Sequence, residues 1–533
     1  LAMQRIPLPQ ALRKQLSRNS NMRTYLSSLQ RERPFTERSW LYDGKFGNPY
    51  LAPEQVLDQW LKHLNSLQNS KEITYRRVYD FDISQKEKWG PQGGHEALSK
   101  IIEDIVYPSF QPPSYSVSPT AFTTKEWAQA VNNVIDMFKK HGIRGLRPRS
   151  YERVVETMRA KNTLISNSGW PDFTTRSIPA VKERALKDAY SGKWREYPAV
   201  LLFRRYNGKT RQVWMFPMST NIVEASWFQP LADAIMATPL AEEFFSPWKG
   251  FEQVRKRVTQ WYPKLGVIGA SDFSSTDAHF QKAASIEVLK VLKALFQDVY
   301  AEALEESVLH MHTIPLVTGP NTMLIGEHGV ASGSNWTNFI ETIFDAILGE
   351  YLHLRDANAF GLYGIGDDMA WALLHEDDSF RERLDAIGIT VGQSIKAEKT
   401  MVDPTQVKSL QRLFQRGFTQ PSSSLLRGVY STVRALKSSV YPEREHKKKD
   451  WNSDMFCARQ FMILENVVDH PLFEDFVKFV CKGNHHLVPF AKKSNEALDS
   501  ITRKSQLVPG LNPTYNQEKK DSSLASFKSI AVA

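Results

Sequence analysis

Apolar positions change period along the chain, and each change predicts an element. From Pro53 onward, Leu57, Trp60, Leu61, Leu64 and Leu67 recur at helical spacing with Gln, Lys and Asn between them. That spacing predicts a helix opened by Pro53 with one buried face. The chain before it is polar, rich in Arg up to Arg38 and interrupted by Gly44, Gly47 and Pro49, which predicts an extended arm lying on a larger body. From about Lys71 to Gly250 short strands, helices and Pro/Gly turns alternate without a repeat, so a composite domain fits better than a solenoid. Between Phe251 and Phe418 the pattern sharpens to an apolar run at Val267–Ala270, a long helix from about Ala278 to Leu304, a glycine-containing loop, another helix, and two short apolar runs around Gly366. Strands separated by helices predict a mixed domain. Beyond Pro421 the periodicity is helical, for example from Asp450 to Val468, with the basic run Lys447 to Lys449 before it. The stretch Ser505 to Ala533 is poor in large apolar residues and is expected over the surface or in a groove.

Composition narrows the class. At 533 residues, 41% hydrophobic and 24% charged, the chain can bury several cores and is neither disordered nor collagenous. Its two cysteines, Cys457 and Cys481, exclude a disulfide framework and point to a reducing compartment. The uncharged stretch Ser307 to Gly326 is broken by Pro315, Gly319, Pro320 and Asn321, and the first ten residues lack a secretory apolar core. A soluble, non-secreted protein is expected. The net charge of +10 suggests a polyanionic partner without saying which.

Residues with chemistry to offer sit at the joints of this pattern. In Gly361 to Leu374 two apolar runs meet at Gly366-Asp367-Asp368. A plain hairpin turn would also use Gly and Asp, for left-handed backbone and self-capping. Apolar sequence on both sides argues for more, because adjacent carboxylates against a core need a cation. In Val267 to Phe280 an apolar strand is expected to end at Asp272, and a turn leads to Asp277 at a helix start. Taken alone, Asp277 reads as a helix cap or first-turn acid. With Asp367 and Asp368, however, Asp272 completes a set of hard oxygens from two strand ends, which is what a pair of Mg²⁺ ions needs for in-line phosphoryl transfer.

Two further segments add weaker signals. His328 to Glu341 is a small-residue loop, with Ser332, Gly333 and Ser334, that runs into a helix on which Thr337, Asn338 and Glu341 share a face. Leu202 to Pro217 sets Arg204, Arg205, Lys209 and Arg211 around a glycine turn. A solvated hairpin looks like this, and so does a group that neutralises a triphosphate or a pyrophosphate leaving group.

In this order the segments resemble a viral RNA-dependent RNA polymerase of the double-stranded RNA virus type found in picobirnaviruses, with the partitivirus enzymes as second choice. Asp272 to Asp277 is similar to the first palm motif, Ser332 and Gly333 with Thr337 and Asn338 to the second, and Gly366-Asp367-Asp368 to the third. That order argues against the permuted polymerases, in which the third motif comes first. Lys209 and Arg211, with Arg204 and Arg205 beside them, resemble the basic fingers motif that holds nucleotide phosphates. Asn167, Ser168, Gly169 and Pro171 resemble the template-binding segment. Ala397 to Thr400 resembles the motif whose lysine, here Lys399, acts as general acid toward pyrophosphate, with Lys396 competing for the role. Val407 to Phe414 resembles the hairpin that supports the primer end. Glu341 stands where many single-strand RNA virus polymerases carry Asn, which leaves the partner of the ribose 2′-OH open, with Asp277 and Asn338 as candidates.

The resemblance implies an α+β right hand with fingers, a palm built on an RRM-like antiparallel sheet with helices, and a mostly helical thumb. Its expected parts are an arm and helix over 1–70 bridging fingers and thumb, fingers over 71–250, palm over 251–418 with a fingers insertion at about 281–328, and thumb and tail over 419–533. The implied activity replicates and transcribes a double-stranded RNA genome by two-metal transfer from NTPs to the RNA 3′-OH, with primer-independent initiation. Implied cofactors are two Mg²⁺ ions, with Mn²⁺ as substitute. Implied partners are single-stranded RNA template, nascent RNA, NTPs and viral capsid protein. A monomer with no membrane partner is expected, in the virion interior and the host cytoplasm. The tail from Ser505 is expected to enter the product cavity and regulate initiation.

Alternatives remain. A reverse transcriptase shares the carboxylates but typically carries a bulky aromatic gate where small residues here lead to Asp277. A non-catalytic RNA-binding or capsid-associated protein would rely on the positive charge alone. Cys481, His485 and His486 near Cys457 lack a Cys-x-x-Cys pair and read as ordinary thumb residues rather than a zinc site.

Overall fold

A computed structural model of the chain describes residues 2–29, 51–92, 97–206, 208–444, 446–511, 517–519 and 521–533, and the side chains of Arg205, Tyr206, Lys399 and Thr400 lie outside the described residues. Among the described residues twelve strands form three sheets. The first runs β1 (Gln4–Pro7), β6 (Thr322–Ile325), β5 (Leu316–Val317), β2 (Ala199–Tyr206), β3 (Lys209–Met215), antiparallel except where β2 meets β5. The second, wholly antiparallel, runs β7 (Ala359–Ile365), β8 (Asp368–Leu373), β4 (Val267–Ser274), β9 (Ser394–Ala397). The third is β10 (Gln406–Ser409), β11 (Arg412–Gln415), β12 (Val429–Tyr430).

The second sheet is covered on both faces, which is why its strands read as unbroken apolar runs. Along β8, Met369, Trp371 and Leu373 join one core with Phe344 and Phe380 from the helices Trp336–Arg355 and Phe380–Thr390. Ala370 and Ala372, pointing the other way, join Val254 and Val258 of the helix Phe251–Trp261. Side chains alternate faces along a strand, and here each face has its own cover. The helix Trp336–Arg355 is buried nearly all round, as expected of an element at the centre of a molecule. Outside it packs the helix Lys125–Lys140, capped by Thr124, whose Trp127, Ala130, Val131, Val134 and Phe138 form one buried stripe.

The α+β right-hand architecture is borne out, and four expectations about elements are corrected. First, the N-terminal residues are not an extended arm: β1 pairs with β6 and is followed by the helices Gln10–Ser17 and Ser20–Ser28, whose Leu12, Leu16, Met22 and Leu26 are buried. The Arg-rich stretch through Arg38 to Pro49 lies outside the described residues. Second, β4 continues two residues past Asp272 to Ser274, because it pairs on both edges, with β8 and with β9. Third, the single helix expected from Ala278 to Leu304 is three, Thr276–His279, Lys282–Leu295 and Ala301–His310. Its second break comes where Phe296 leaves the helix to bridge Leu146, with Leu146 N donating to Leu295 O and Gln297 N to Leu146 O. Fourth, of the two places expected for the tail, surface or groove, the surface is ruled out for its end: Leu524, Phe527 and Ile530 are buried with Phe461 and Phe476 in the C-terminal core.

The helix Pro53–Leu64 does present one buried face, with Val56 and Trp60 in that same C-terminal core, while β1 belongs to the first sheet. The N-terminal region therefore touches both sides of the molecule. β5 and β6, from the stretch expected as an insertion, return to the first sheet beside β2.

Candidate active site

The β7–β8 hairpin turns through Gly366 and Asp367, and Gly366 has φ +57°, a left-handed backbone that glycine adopts without strain. Thr342 Oγ1 accepts from Gly366 N at 2.9 Å, and a Cβ at Gly366 would lie 2.8 Å from Asn338 Nδ2, so the helix Trp336–Arg355 fixes the turn from below. Next to the turn, β4 brings Asp272 directly opposite Asp368 on β8 and opposite Lys396 on β9. Phe273 N donates to Asp367 O at 3.0 Å and Thr276 Oγ1 reaches Asp367 Oδ2 at 3.5 Å. The three predicted carboxylates thus meet at the shared end of two neighbouring strands. They open onto a cavity of about 780 Å³ whose walls also include Arg211, Glu398 and Lys408.

Electrostatics explains why such a cluster is uncomfortable without a ligand. Enclosure in the cavity, then Asp367 and Glu398, push the Asp272 carboxyl up to about 6, against the pull of Lys396 and Arg211. Burial likewise lifts Asp277 to about 6, opposed by the hydrogen bond that Gln212 Nε2 donates to its Oδ2 at 3.3 Å. Asp368 is raised further, first by burial and then by Asp367 and Asp272. Behind the turn, Glu341 and Asp345 are both held well above the usual carboxylate range by burial and by the acids around them. Neither carboxyl oxygen of Asp345 has a hydrogen-bond partner. Among the described residues no three His, Cys, Asp or Glu side chains are drawn together tightly enough to hold a metal ion. The donor chemistry nonetheless fits a divalent cation: three hard carboxylates share one wall and repel one another.

The remaining predicted residues divide into those that face this cavity and those turned to other work. Arg211 lies on the cavity wall, and its charge lowers all three acids. Lys209 is exposed at the far end of β3. Arg204, expected to hold phosphate, also lines the cavity, where it pairs with Glu443 at 2.5 Å and ties the β2–β3 hairpin to the C-terminal region. Ser332 Oγ accepts from Trp214 N at 3.2 Å, and a Cβ at Gly333 would fall 1.6 Å from Trp214 O, so the small-residue loop sits directly on β3. The Thr337 hydroxyl donates to Ala331 O and shapes that loop from inside. In the segment expected to bind template, Ser168 is buried and bonded to Thr174, and Asn167 Oδ1 accepts from Gly169 N at 2.8 Å. A Cβ at Gly169 would fall 2.6 Å from Phe216 O, while Pro171 O accepts from Asn19 Nδ2 at 2.9 Å. Asn167 and Pro171 are half-buried. Lys396 faces Asp272 across the sheet, and the rival Lys399 follows β9 in a 3₁₀ turn.

Sequence reasoning missed Gln212, Glu398, Asp345 and Glu224. Gln212 could have been found from strand alternation, since it shares a face of β3 with the buried Trp214. Asp345 continues the i, i+4 series from Thr337 and Glu341. Glu398 stands beside the lysines that were noticed, and Glu224 carries no local signal in its helix.

Known proteins resemble this chain in sequence and in fold. Residues 206–448 match the family model described as viral RNA-dependent RNA polymerase. A protein described as a potential RNA-dependent RNA polymerase, from human picobirnavirus (strain Human/Thailand/Hy005102/-), is 28% identical over 488 residues, covering 87% of this chain and 85% of its own length. The crystal structure of the RNA-dependent RNA polymerase of a human picobirnavirus superposes with a TM-score of 0.76 at 22% identity, over 94% of this chain and 96% of that one. Its insertion-loop deletion mutant gives the same TM-score and identity over 94% and 97%. At that identity the structural likeness is one of fold, and the sequence matches point to the same class of protein. In sequence and in fold, then, what this chain is similar to is a viral RNA-dependent RNA polymerase of the picobirnavirus type.

Proposed function

We propose that this polymerase replicates and transcribes a double-stranded RNA genome by nucleotidyl transfer from NTPs to the RNA 3′-OH, with primer-independent initiation. The observation that carries the reading is the cross-strand pair Asp272 and Asp368 with Asp367 at the adjoining turn, on the wall of a cavity that also holds Arg211. Two Mg²⁺ ions, or Mn²⁺ in their place, would be held by Asp272, Asp367 and Asp368. When bound, they would lower the pKa of the attacking hydroxyl and offset charge on the triphosphate.

The chain's own residues supply the rest. Arg211 and Lys209 draw the triphosphate to the carboxylate end of the sheet, Arg as a fork and Lys as a point charge. Asp277, held by Gln212, and Asn338, beside Gly366, lie where a ribose 2′-OH can be read by hydrogen bonds. A site built to pair that hydroxyl penalises its absence. Lys396, aligned with Asp272, carries a proton on Nζ that can pass to departing pyrophosphate, and Lys399 is the alternative donor. Asn167 and Pro171 line the path of the template. The same reading has the protein working as a monomer in the virion interior and host cytoplasm, in contact with capsid protein.

Incorporation of labelled ribonucleotides on a defined single-stranded RNA tests this directly. Wild-type chain is expected to make full-length product without primer, and Asp367→Ala to make none while remaining folded. Synthesis by the variant would sink the mechanism. Preference for deoxynucleotides on the same template would favour a reverse transcriptase instead.

A further inference from the structure

The helix Met218–Met236 follows β3 and carries Glu224, 1% exposed and not part of the cavity wall that the three carboxylates share. Its carboxylate collects three hydrogen bonds. Oε1 accepts from Asn335 N at 3.0 Å and from Asn221 Nδ2 at 2.9 Å, and Oε2 accepts from Ser334 Oγ. Asn221 extends the contact in both directions. Its Nδ2 also donates to Gly333 O at 3.1 Å, its backbone O accepts from Asn335 Nδ2 at 3.0 Å, and its Oδ1 accepts from Arg176 Nη2 at 2.8 Å. Arg176 Nε in turn donates to Asn167 O at 3.0 Å, and the first residue of the helix, Met218, donates its N–H to Ser168 O at 2.8 Å.

A continuous chain of hydrogen bonds therefore runs from the template-binding segment through Arg176 and Asn221 to Glu224, and from there into the loop that carries Ser332 and Gly333. On its other side that loop has no room to move, because Gly333 abuts Trp214 O. A buried carboxylate is an expensive way to join two pieces of chain. Apolar packing of the same volume would often be equally stable or more so. A fully satisfied buried network, in contrast, specifies one arrangement among several of similar packing. Burial lifts the Glu224 carboxyl to about 7 even though Ser334, Asn335, Asn221 and Arg176 all pull it down.

We propose that Glu224 is a positioning residue that locks loop 333–335 to segment 167–168, keeping the template strand and the incoming nucleotide in register. The inference rests on the polymerase reading above and adds a residue that touches neither substrate.

The test is steady-state incorporation by the full chain on a defined single-stranded RNA, with rates normalised to the folded fraction, for Glu224→Ala, Glu224→Gln, Arg176→Ala and the double variant Glu224→Ala/Arg176→Ala. Glu224→Ala is expected to raise the KM for template and lower kcat/KM for nucleotide together, on the order of 10- to 100-fold, the scale of an ångström-sized misplacement. Glu224→Gln keeps one oxygen for Asn335 and Asn221, and the Ser334 hydroxyl can turn to accept from its amide, so this variant should recover most of the loss. The double variant should lose no more than the worse single, because both break one chain of contacts. Folded Glu224→Ala with wild-type constants, a Gln variant as impaired as Ala, or additive losses would each overturn the proposal. If Glu224→Ala does not fold, Ser334→Ala and Arg176→Ala, each removing one donor, carry the same KM comparison. Wild-type chain that makes no RNA overturns the polymerase reading itself, a separate result from variant defects measured against an active wild type.

Discussion

At the scale of single residues, the carboxyl cluster sets the pH behaviour. Asp272 and Asp277 titrate near 6 in the folded chain and in the ordinary carboxylate range when unfolded. Between those values the native state binds more protons, so metal-free stability falls as pH rises toward about 6 and stays reduced above it. Mg²⁺ is therefore expected to raise the melting temperature clearly at about pH 7.5 and only slightly at about pH 5, where protons already neutralise the acids. Asp367→Asn should raise the metal-free melting temperature and shrink the Mg²⁺ shift. Equal shifts at both pH values would contradict this account. Gly333 makes a steric prediction: a methyl there meets Trp214 O, and such overpacking typically costs about 1–3 kcal/mol. Gly333→Ala should melt earlier and incorporate nucleotide poorly, and a fully active variant would mean that the loop is not seated on β3.

At the scale of elements, one buried acid joins parts of the chain that are far apart. Asp82, in the helix Ile73–Ser84, accepts from Ser431 Oγ and Thr432 Oγ1 at 2.6 Å, from Thr432 N at 3.2 Å, from Val433 N at 3.0 Å, and pairs with His470 Nε2 at 2.8 Å. It thereby caps the helix Thr432–Val440 from outside. Desolvation works against its charge, but His470 and the two hydroxyls win and hold its carboxyl below the usual range. Asp82→Ala would strand those donors in a dry site and is expected to cost about 3 kcal/mol or more, read as a lower midpoint in urea. An unchanged midpoint would show that water replaces the carboxylate. Elements legible in the sequence were those whose own period was strong, such as Pro53–Leu64 and the two runs of the catalytic hairpin. Where a distant partner intervened, local reading failed. Phe296 leaves its helix for Leu146, and β4 outlasts Asp272 because β9 pairs with it.

For the whole molecule, the net charge of +10 combines a basic lining with an acidic centre. If about six phosphates are neutralised, RNA affinity should fall by about 10³ between about 50 and about 200 mM salt, measured by fluorescence anisotropy. A flat salt response would remove the charged channel from the account. The tail packs inward, the groove rather than the surface of its two expected places. Gly510, Leu511 and Gln517 line the cavity, Glu518 is buried between Arg255 and Arg412, and Leu524, Phe527 and Ile530 fill the C-terminal core. Removing residues after Ser505 should therefore lower the melting temperature as well as change initiation.

The sequence by itself determined the order of the motifs, the class of enzyme they resemble and the acids that matter, because strand ends, turns and carboxylates announce themselves within a dozen residues. Only the tertiary structure decided what each side chain engages. Asp272 faces Asp368 and Lys396, Arg204 pairs with Glu443 on the cavity wall, the Thr337 hydroxyl turns inward, and Glu224 binds the loop 110 or more residues ahead of it. These partners come from different elements brought together by packing, and neither the charge nor the periodicity of one segment specifies which distant donor or carboxylate it will meet.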